Sequence, residues 1–478
     1  MTPDHPRTSQ WTECHRFGAV AAGLGLACFA ATGVSQQFAA HAPRADMPIL
    51  AFALAFTAAG ILFLVTTSLA IRSIARRSAN SRNRLVWMFV VGLILRLVLA
   101  TSEPILEVDY NRYLWDGGIA ATGRNPYAIA PARVSQLPYN DNRLDLSKAA
   151  SPIFERISYA ELKTIYPPVA QAAFAIAHWI EPWSLAAWRS MCIAADITSF
   201  FLLVALLRSV DRAPMLAMLY WWNPLVLKEV VNSAHTEAVL IPLVLASLLL
   251  MVRSRHLAAT GMLGLAIGTK LWPVMLAPIV LRPLVSNPAR LVLACLMLTA
   301  MLLLFGVPVW IGGIDATSGF VEFAKHWATN SALLPLLERL AAGLLSAPMA
   351  ESLPPGRLVR LISVLGVIML AVYVARPPIR DARDIVARVY VVVTALLLLS
   401  PAQFPWYVLW ALPIATLHPG IGWHVAAAVM PIYYTAFHFQ RQGSYAVYET
   451  WIVWMIWFPV WIALLADSWQ VSTRHKRP

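Results

Sequence analysis

Residues 85–116, which read LVWMFVVGLILRLVLAT and then SEPILEVDYNRYLWD, decide the fold class of this chain. The first part, residues 85–101, is an apolar run with one charged residue, Arg96. A helix needs about 20 mainly apolar residues to cross the hydrocarbon core of a bilayer. The second part, residues 102–116, follows directly and is rich in acidic and aromatic side chains. Together they predict a membrane-spanning helix that leads into a polar segment at the membrane surface.

Similar apolar runs occupy most of the chain. Of its 478 residues, 59% are hydrophobic and 13% are charged, against roughly 45–50% and about 25% in soluble globular proteins. This composition excludes a soluble protein and predicts an all-α, polytopic membrane protein. We expect a bundle of about twelve full transmembrane helices, near residues 17–34, 47–71, 85–101, 186–207, 213–230, 236–252, 290–311, 357–375, 387–400, 403–418, 421–437 and 450–467.

Three further apolar segments do not fit a simple span. They cover residues 167–180, 257–282 and 332–346, and they are too short or are broken by glycine, lysine and proline. A segment much shorter than about 20 residues does not reach across a bilayer. We therefore expect short re-entrant or interfacial helices at these positions.

The charge distribution predicts the orientation in the membrane. The net charge is +13, and an excess of arginine in short loops is typical of the cytoplasmic side of membrane proteins. This explanation leaves no compact basic domain for a nucleic-acid partner. The residues that we expect to be cytoplasmic are Arg72, Arg76, Arg77, Arg82 and Arg84, and in the tail Arg474, Lys476 and Arg477.

With that orientation, the segment after residue 101 lies on the extracytoplasmic side. Counting spans from there predicts that several separate pieces of the chain converge into one extracytoplasmic site. Long loops in a helical membrane protein usually carry function. The pieces are residues 102–185, 228–237, 312–356, the turn from Pro401 to Trp406, and residues 438–449.

Several kinds of site are not predicted. The four cysteines are scattered singly, which argues against a disulfide framework or a zinc site. No nucleotide-binding or metalloprotease motif is present, so we expect no cofactor and no required metal, although Glu107 with Asp109 is a weak candidate pair for a divalent ion. Residues 40–42 (AHA) faintly resemble a signal-peptidase site, but the long preceding apolar run favours an uncleaved first helix.

The polar segment from Glu107 to Tyr127 carries the strongest chemical signal. It reads as a short helix that ends at Gly123, with Pro126 just beyond. At helical spacing, four residues of this helix share one face. They are Asp109, Arg112, Tyr113 and Asp116, of which the last three are candidate substrate contacts.

A carboxylate beside an arginine stays ionised at rest and can take a proton from a substrate hydroxyl, which is the task of a general base. Asp109 is our first candidate for that role. The alternative is a solvated helix face on which Asp109 pairs with Arg112. For Asp116, a supporting or helix-capping role is the main alternative to substrate contact.

Six motifs in this order resemble those of glycosyltransferases of the GT-C superfamily that use polyprenyl-phosphate sugars, most closely the mannosyltransferases of glycosyltransferase family 87. The resemblance runs from about residue 85 to about residue 410. The motifs are Asp109-Tyr-Asn-Arg-Tyr-Leu-Trp-Asp-Gly117, Gly123-x-Asn-Pro-Tyr127, Tyr166-Pro-Pro168, Asn223-Pro224, Lys270-Leu-Trp-Pro273 and Pro401-x-x-x-Pro-Trp-Tyr407.

The resemblance implies a GT-C-like bundle and an activity. Members of the superfamily move a sugar from a lipid-linked phosphate to an acceptor hydroxyl, with inversion, at the outer membrane face, and motif position makes Asp109 the base. The implied partners are a polyprenyl-phosphate-linked sugar, a glycan, glycolipid or protein acceptor, and the bilayer of the cytoplasmic membrane. Mannose follows only from the resemblance, and the acceptor stays open.

The implied division of the chain has four parts. Two spans precede the catalytic region, as an extension relative to the simplest members of the superfamily. The parts are an N-terminal two-helix membrane extension at 1–84, a catalytic membrane module at 85–311 with its outer loop at 102–166, an outer loop with interfacial helices at 312–356, and C-terminal transmembrane helices at 357–478.

Lys270 is the candidate for binding the departing phosphate, on which negative charge grows in the transition state. It lies in an apolar stretch, where a lysine at mid-membrane depth costs roughly 2.5–3.5 kcal/mol on insertion scales. Gly268 and Pro273 predict a helix break that lets the ammonium group reach a lipid phosphate. The alternative is that Lys270 snorkels to the interface.

Further substrate contacts are predicted in three other places. His235 precedes a span with Glu237 and can hydrogen-bond a phosphate or a sugar, although a lone histidine is more often structural. His326 and Asn330 share a helical face, for which an ordinary interfacial helix is the alternative. In the turn after Ser400, the residues Gln403, Trp406 and Tyr407 suit a sugar pocket, or else form a helix hairpin with interfacial aromatics.

Two other functions remain open at this level. A secondary transporter or a flippase for a lipid-linked glycan would also have about twelve spans and broken helices, but it needs coupling groups between internal repeats. The acidic stripe lies instead in a long loop, and no internal repeat is visible. A scaffold subunit without activity of its own would tolerate replacement of Asp109.

Overall fold

The structure is a computed structural model that describes residues 6–39, 47–74, 82–345 and 352–474. The sequence features at residues 40–42, and Arg76, Arg77, Lys476 and Arg477 of the orientation argument, lie outside the described residues. Within those residues the chain is helical and has no β-strand, although an isolated β-bridge joins Thr329 and Ala402. The predicted all-α class is confirmed.

The α-helices are numbered in chain order. They are α1 (Pro6–Ser35), α2 (Ile49–Ile74), α3 (Arg82–Ala100), α4 (Asp109–Ala121), α5 (Arg143–Ala149), α6 (Pro168–Ile180), α7 (Leu185–Ser209), α8 (Met218–Trp221), α9 (Pro224–Val226), α10 (Glu237–Val252), α11 (His256–Thr269), α12 (Ala277–Leu281), α13 (Pro288–Gly312), α14 (Gly319–His326), α15 (Leu333–Leu344), α16 (Pro355–Ala375), α17 (Ala382–Leu399), α18 (Val408–Leu417), α19 (Gly422–Val429), α20 (Thr435–Arg441), α21 (Tyr445–Val447) and α22 (Val453–Arg474).

Among the described residues, seven helices are long and apolar enough to cross a membrane, or eight if Pro224–Asn232 and Glu237–Val252 form one span. Each of the seven overlaps one of the predicted apolar runs. Twelve full spans are therefore not confirmed. The seven are Phe17–Phe38, Ile49–Ser68, Arg82–Ala100, Leu185–Ser209, Pro288–Gly312, Pro355–Ala375 and Tyr445–Trp469.

None of the five other predicted runs forms one helix that is both long and apolar enough to cross a membrane. The run at 213–230 contains 3-10, α and π segments, with Pro214 and Pro224 at helix starts. The runs at 403–418 and 421–437 are also divided into 3-10 and α segments, and in the second run Pro431 lies at the start of the 3-10 helix that follows α19. α10 has 16 residues, and α17 carries three charged residues in its first two turns.

The three short segments fold as short or broken helices, and their re-entrant or interfacial placement stays a prediction. α6 has 13 residues and α15 has 12. The segment at 257–282 is divided into α11, a 3-10 helix at Trp272–Leu276, and α12. None of these three pieces is long enough to cross a bilayer alone.

The described chain forms two compact units. The predicted division at residues 84, 311 and 356 stays a prediction.

The first unit consists of Met1–Leu106, Leu203–Asn232 and Val408–Pro478. In it, the fully buried Arg96 lies 3.3 Å from the centre of the Trp221 ring and donates to the carbonyls of Gly92 and Trp221. These contacts satisfy a charge that an apolar helix would otherwise bury at a cost.

The second unit consists of Glu107–Leu202 and Ser233–Tyr407. In it, α4 packs closely against α6, and the Tyr113 ring stacks on Phe174 with centres 4.9 Å apart. The loop that follows α4 folds back on that helix, since Trp115 and Ile119 form a small core with residues of the loop, Val134, Ala150 and Ile157. α10 and α11 pack side by side in the same unit.

Candidate active site

The helix that carries Asp109 ends within two residues of the predicted end at Gly123. α4 starts at Asp109, and an acidic residue in the first turn is stabilised by the positive end of the helix dipole. Beyond its end, Gly123 has φ of 73°, a conformation that costs glycine little. The Gly123 N–H donates to Ala120 (3.0 Å) and the Arg124 N–H to Ile119 (3.2 Å), which closes the helix.

Asp109 is half-buried, and its neighbours are both cationic and acidic. Among the residues that the structure describes, no hydrogen bond or ion pair engages its carboxylate. Burial raises the pKa of the Asp109 carboxyl above its ordinary value, and the positive charges of His235, Lys270 and Arg112 oppose that rise. Glu237 adds to it through charge repulsion. The carboxylate is thus accessible and close to groups that favour its ionised form.

Two tyrosines lie beside Asp109. The buried Tyr113 donates a hydrogen bond to Tyr166, and its hydroxyl is also 3.3 Å from Nδ1 of His235. Burial raises the pKa of both tyrosines well above the ordinary value, and the Asp109 charge adds to the rise. Both phenols are therefore neutral hydrogen-bonding groups at physiological pH.

Lys270 lies at the predicted helix break. α11 ends at Thr269, Lys270 is extended with φ of −155°, and a 3-10 helix follows from Trp272. The break predicted from Gly268 and Pro273 is confirmed. The ammonium group forms an ion pair with Glu237 and lies 4.5 Å from the centre of the Tyr407 ring.

His235 is held by aromatic rings. Its own ring stacks on Trp406 with centres 4.0 Å apart, and Trp188 donates to the carbonyl of the preceding Ala234 at 2.7 Å. Nε2 of His235 lies 3.9 Å from the Glu107 carboxylate. The ring is fully buried, so its position is set by these neighbours.

Trp406 and Tyr407 both lie in this cluster, and their role in substrate contact stays a prediction. Trp406 also stacks on Phe404 at 4.5 Å and is only 8% exposed, which leaves little of its face for a sugar. Tyr407 places its ring under the Lys270 ammonium group, a favourable cation–π arrangement.

Arg112 and Asp116 pair with each other one helical turn apart, at 2.9 Å. The Arg112 guanidinium also donates twice to the carbonyl of Leu162, both at 3.0 Å. Gln171 of α6 donates to Asp116 (3.3 Å) and to Thr164 (3.0 Å). These contacts tie α4 to α6 and to the end of the outer loop, which is a supporting arrangement.

Gln403 and Asn330 build the turn that carries the aromatic residues. The Asn330 side chain donates to the Gln403 carbonyl at 2.9 Å. The Gln403 side chain donates to the carbonyls of Leu397, Leu398 and Ser400 at the end of α17. Both side chains are nearly buried, so the structure uses them to hold backbone together.

His326 lies at the exposed end of α14. Its side chain is 64% exposed, and Nδ1 is 2.9 Å from Glu322 one turn earlier in the same helix. Of the predicted substrate-contact residues, the structure therefore gathers Tyr113, His235, Lys270, Trp406 and Tyr407 around Asp109 or one another.

Two residues of this cluster were not among the predicted site residues. Glu237 appeared only as the start of a span, and Tyr166 only as part of a motif. Glu237 could have been found from the sequence, because it is an acidic residue at the start of a strongly apolar run. Burial of an unpaired carboxylate is costly, so such a residue indicates a buried partner or a function. Its partner Lys270 lies in the break after α11, and the local sequence does not reveal that the two side chains meet.

Residues 16–286, more than half of the chain, match a family model described as Alpha-(1->6)-mannopyranosyltransferase, N-terminal domain. The chain belongs to this family. The protein named Alpha-(1->6)-mannopyranosyltransferase A of Mycobacterium tuberculosis (strain ATCC 25618 / H37Rv) is 22% identical over 470 residues, which cover 89% of this chain and 81% of that protein. No solved structure matches the chain.

Membership of the alpha-(1->6)-mannopyranosyltransferase family confirms the resemblance to GT-C mannosyltransferases. Together with the apolar helices, it supports an integral membrane glycosyltransferase of the mannosyltransferase type. The cluster around Asp109 lies partly within the residues matched by the family model, with Trp406 and Tyr407 beyond them.

Proposed function

We propose that this protein is a membrane mannosyltransferase that moves mannose from a polyprenyl-phosphate donor to an acceptor hydroxyl, with inversion. The sugar is carried over from the family and from the name of the mycobacterial relative. The reaction takes place at the extracytoplasmic face of the cytoplasmic membrane, as the arginine distribution predicts. A glycan, a glycolipid or a protein supplies the hydroxyl.

The observation that carries this proposal is an accessible carboxylate that lies within the electrostatic reach of two cationic side chains. Asp109 is half-buried, and no other described residue engages its carboxylate in a hydrogen bond or an ion pair. The charges of His235 and Lys270 act on it. A displacement at the anomeric carbon that releases a lipid-linked phosphate needs both a base for the incoming hydroxyl and positive charge near the outgoing phosphate.

The reaction proceeds in one displacement. The Asp109 carboxylate takes the proton of the acceptor hydroxyl, and the acceptor oxygen forms a bond to the anomeric carbon. The bond between that carbon and the phosphate oxygen breaks at the same time, and its electron pair leaves with polyprenyl phosphate. The attack comes from the face opposite the leaving group, so the anomeric configuration inverts.

The other residues of the cluster support this step. The Lys270 ammonium group stabilises the negative charge that grows on the phosphate. The neutral hydroxyls of Tyr113 and Tyr166 and the ring of His235 offer hydrogen bonds to the sugar or the phosphate. The pair of Arg112 and Asp116 keeps α4, and with it Asp109, in place.

The decisive variant is Asp109→Asn. The amide has nearly the shape of the carboxylate but does not accept a proton at neutral pH, so we expect transfer to fall by about a hundredfold or more. The measurement uses purified protein in lipid nanodiscs and a membrane extract as the source of acceptors. The donors are a panel of polyprenyl-phosphate sugars that includes one with radiolabelled mannose, and the quantity measured is the sugar transferred to the acceptors.

The matched control is Asp145→Asn. The Asp145 side chain is 81% exposed and forms an ion pair with Lys148, one helical turn away on α5. This pair lies outside the cluster, so the variant should transfer at the wild-type rate. Full turnover by a folded Asp109→Asn protein would disprove the base assignment. A transporter or flippase would form no labelled product with either protein, and that outcome would favour the alternative function.

A further inference from the structure

The ion pair of Glu237 and Lys270 has one buried and one accessible member. The Glu237 side chain is fully buried, whereas the Lys270 side chain is 21% exposed. An anion that enters the site therefore meets the ammonium group first. The positive charge that it meets is already partly neutralised by the carboxylate behind it.

We propose that Glu237 is a positioning residue that holds Lys270 in place and competes with the lipid-linked phosphate for its ammonium group. This inference rests on the proposed function and adds a residue to it. In the resting protein, Lys270 pairs with Glu237. When the donor binds, its phosphate takes over part of that pairing, and after transfer Glu237 helps to displace the product.

The surroundings allow Lys270 to exchange one anion for the other. Glu237 is the first residue of α10, a helix of 16 residues, and the positive end of the helix dipole stabilises its carboxylate when Lys270 turns away. The Thr236 hydroxyl lies 3.5 Å from the same carboxylate. The Tyr407 ring, 4.5 Å from the ammonium nitrogen, keeps that group in the site in either state.

The charge on the lipid phosphate increases during the reaction, and the competition from Glu237 therefore favours release of the product. The donor is a phosphodiester with one negative charge, whereas the product is a phosphate monoester that carries nearly two at neutral pH. A lysine without a counter-ion would hold the product more strongly than the donor. A fixed carboxylate lowers the affinity for both and so favours product release.

The test measures binding of farnesyl phosphate, a short polyprenyl monophosphate, by calorimetry on the full-length protein in nanodiscs. We expect Glu237→Gln to bind it at least tenfold more tightly than wild type, with a lower kcat in the transfer assay. In a Lys270→Gln background, the same Glu237→Gln change should not tighten binding. A purely structural role for Glu237 predicts equal or weaker binding in every variant.

Glu237→Asp is a second variant that keeps the test possible if Glu237→Gln does not fold. It keeps the charge but draws the carboxylate back by one methylene group, so we expect binding between wild type and Glu237→Gln, about two- to fivefold tighter than wild type. Thermal unfolding of each variant verifies its integrity. Unchanged or weaker binding in the folded variants, tightening that survives Lys270→Gln, or no farnesyl phosphate binding by any of them would overturn the inference.

Binding requires no transfer, so the two proposals fail separately. If Asp109→Asn retains full turnover while the binding cycle behaves as expected, the base assignment is wrong and the role of Glu237 stands. If transfer depends on Asp109 but farnesyl phosphate binding does not change in the Glu237 variants, the base assignment stands and the role of Glu237 is wrong.

Discussion

Asp109 acquires its properties from residues that are distant in the sequence. On α4 alone it is an acidic residue in a first helical turn. In the folded unit, burial raises the pKa of its carboxyl, and charges on His235 and Lys270 limit that increase. A base for an alcohol benefits from both effects, since a raised pKa strengthens the base and nearby cations keep it ionised.

The pH dependence of transfer follows from this balance. Protonated Asp109 does not accept a proton, so kcat should fall as the pH is lowered through the pKa of Asp109, at a pH above the ordinary aspartate value of 3.8. Removal of a positive charge disfavours the carboxylate, so Lys270→Gln should move this acidic limb to higher pH. The check is kcat against pH at saturating donor. An acidic limb that stays in place or moves to lower pH would contradict the assignment.

At the scale of elements, the position of Asp109 depends on how closely α4 approaches α6. Gly117 faces the α6 backbone, and a Cβ atom there would lie 2.5 Å from the carbonyl oxygen of Phe174. The same contact surface contains the stack of Tyr113 on Phe174. A side chain at position 117 therefore forces the two helices apart, and α4 carries Asp109 and Tyr113 with it.

We expect Gly117→Ala to destabilise the protein by about 1–3 kcal/mol and to lower transfer at temperatures where the protein is still folded. Gly306→Ala is the matched control, because Gly306 also lies within a helix but has no atom within 4 Å of the position of its Cβ. Thermal unfolding and the transfer assay on both variants test this. Equal behaviour of the two variants would show that the close approach of α4 and α6 is not needed.

At the scale of the whole molecule, the prediction concerns the face of the membrane on which the cluster lies. The arginine distribution predicts that the loop after α3 is extracytoplasmic and that the turn at residues 253–255 is cytoplasmic. Asn140 in that loop and Arg255 in that turn are both exposed on the surface of the second unit. These two positions can report the orientation directly.

We expect Asn140→Cys, in a background without the four native cysteines, to react with a membrane-impermeant maleimide in intact cells. Arg255→Cys should react only after lysis. Labelling is measured by the mass shift of the purified protein. The opposite pattern would place the site on the cytoplasmic side and remove the basis for an extracytoplasmic donor.

The sequence by itself determined the fold class and several local features of this protein. Composition and apolar runs predicted an all-α membrane protein, the spacing of Gly123 and Pro126 predicted the end of α4, and Gly268 with Pro273 predicted the break at Lys270. Such features depend on transfer of side chains to an apolar phase and on backbone preferences, which act over a few residues.

Only the tertiary structure decided which runs stay continuous and which polar residues meet. Hydropathy reports the preference for an apolar environment but does not distinguish lipid from protein interior, so the broken segments at 213–230 and 421–437 read as full spans. The partner of Lys270 is Glu237 of another helix, and Gln403 caps α17. These contacts join residues distant along the chain, and their geometry depends on the packing of whole helices.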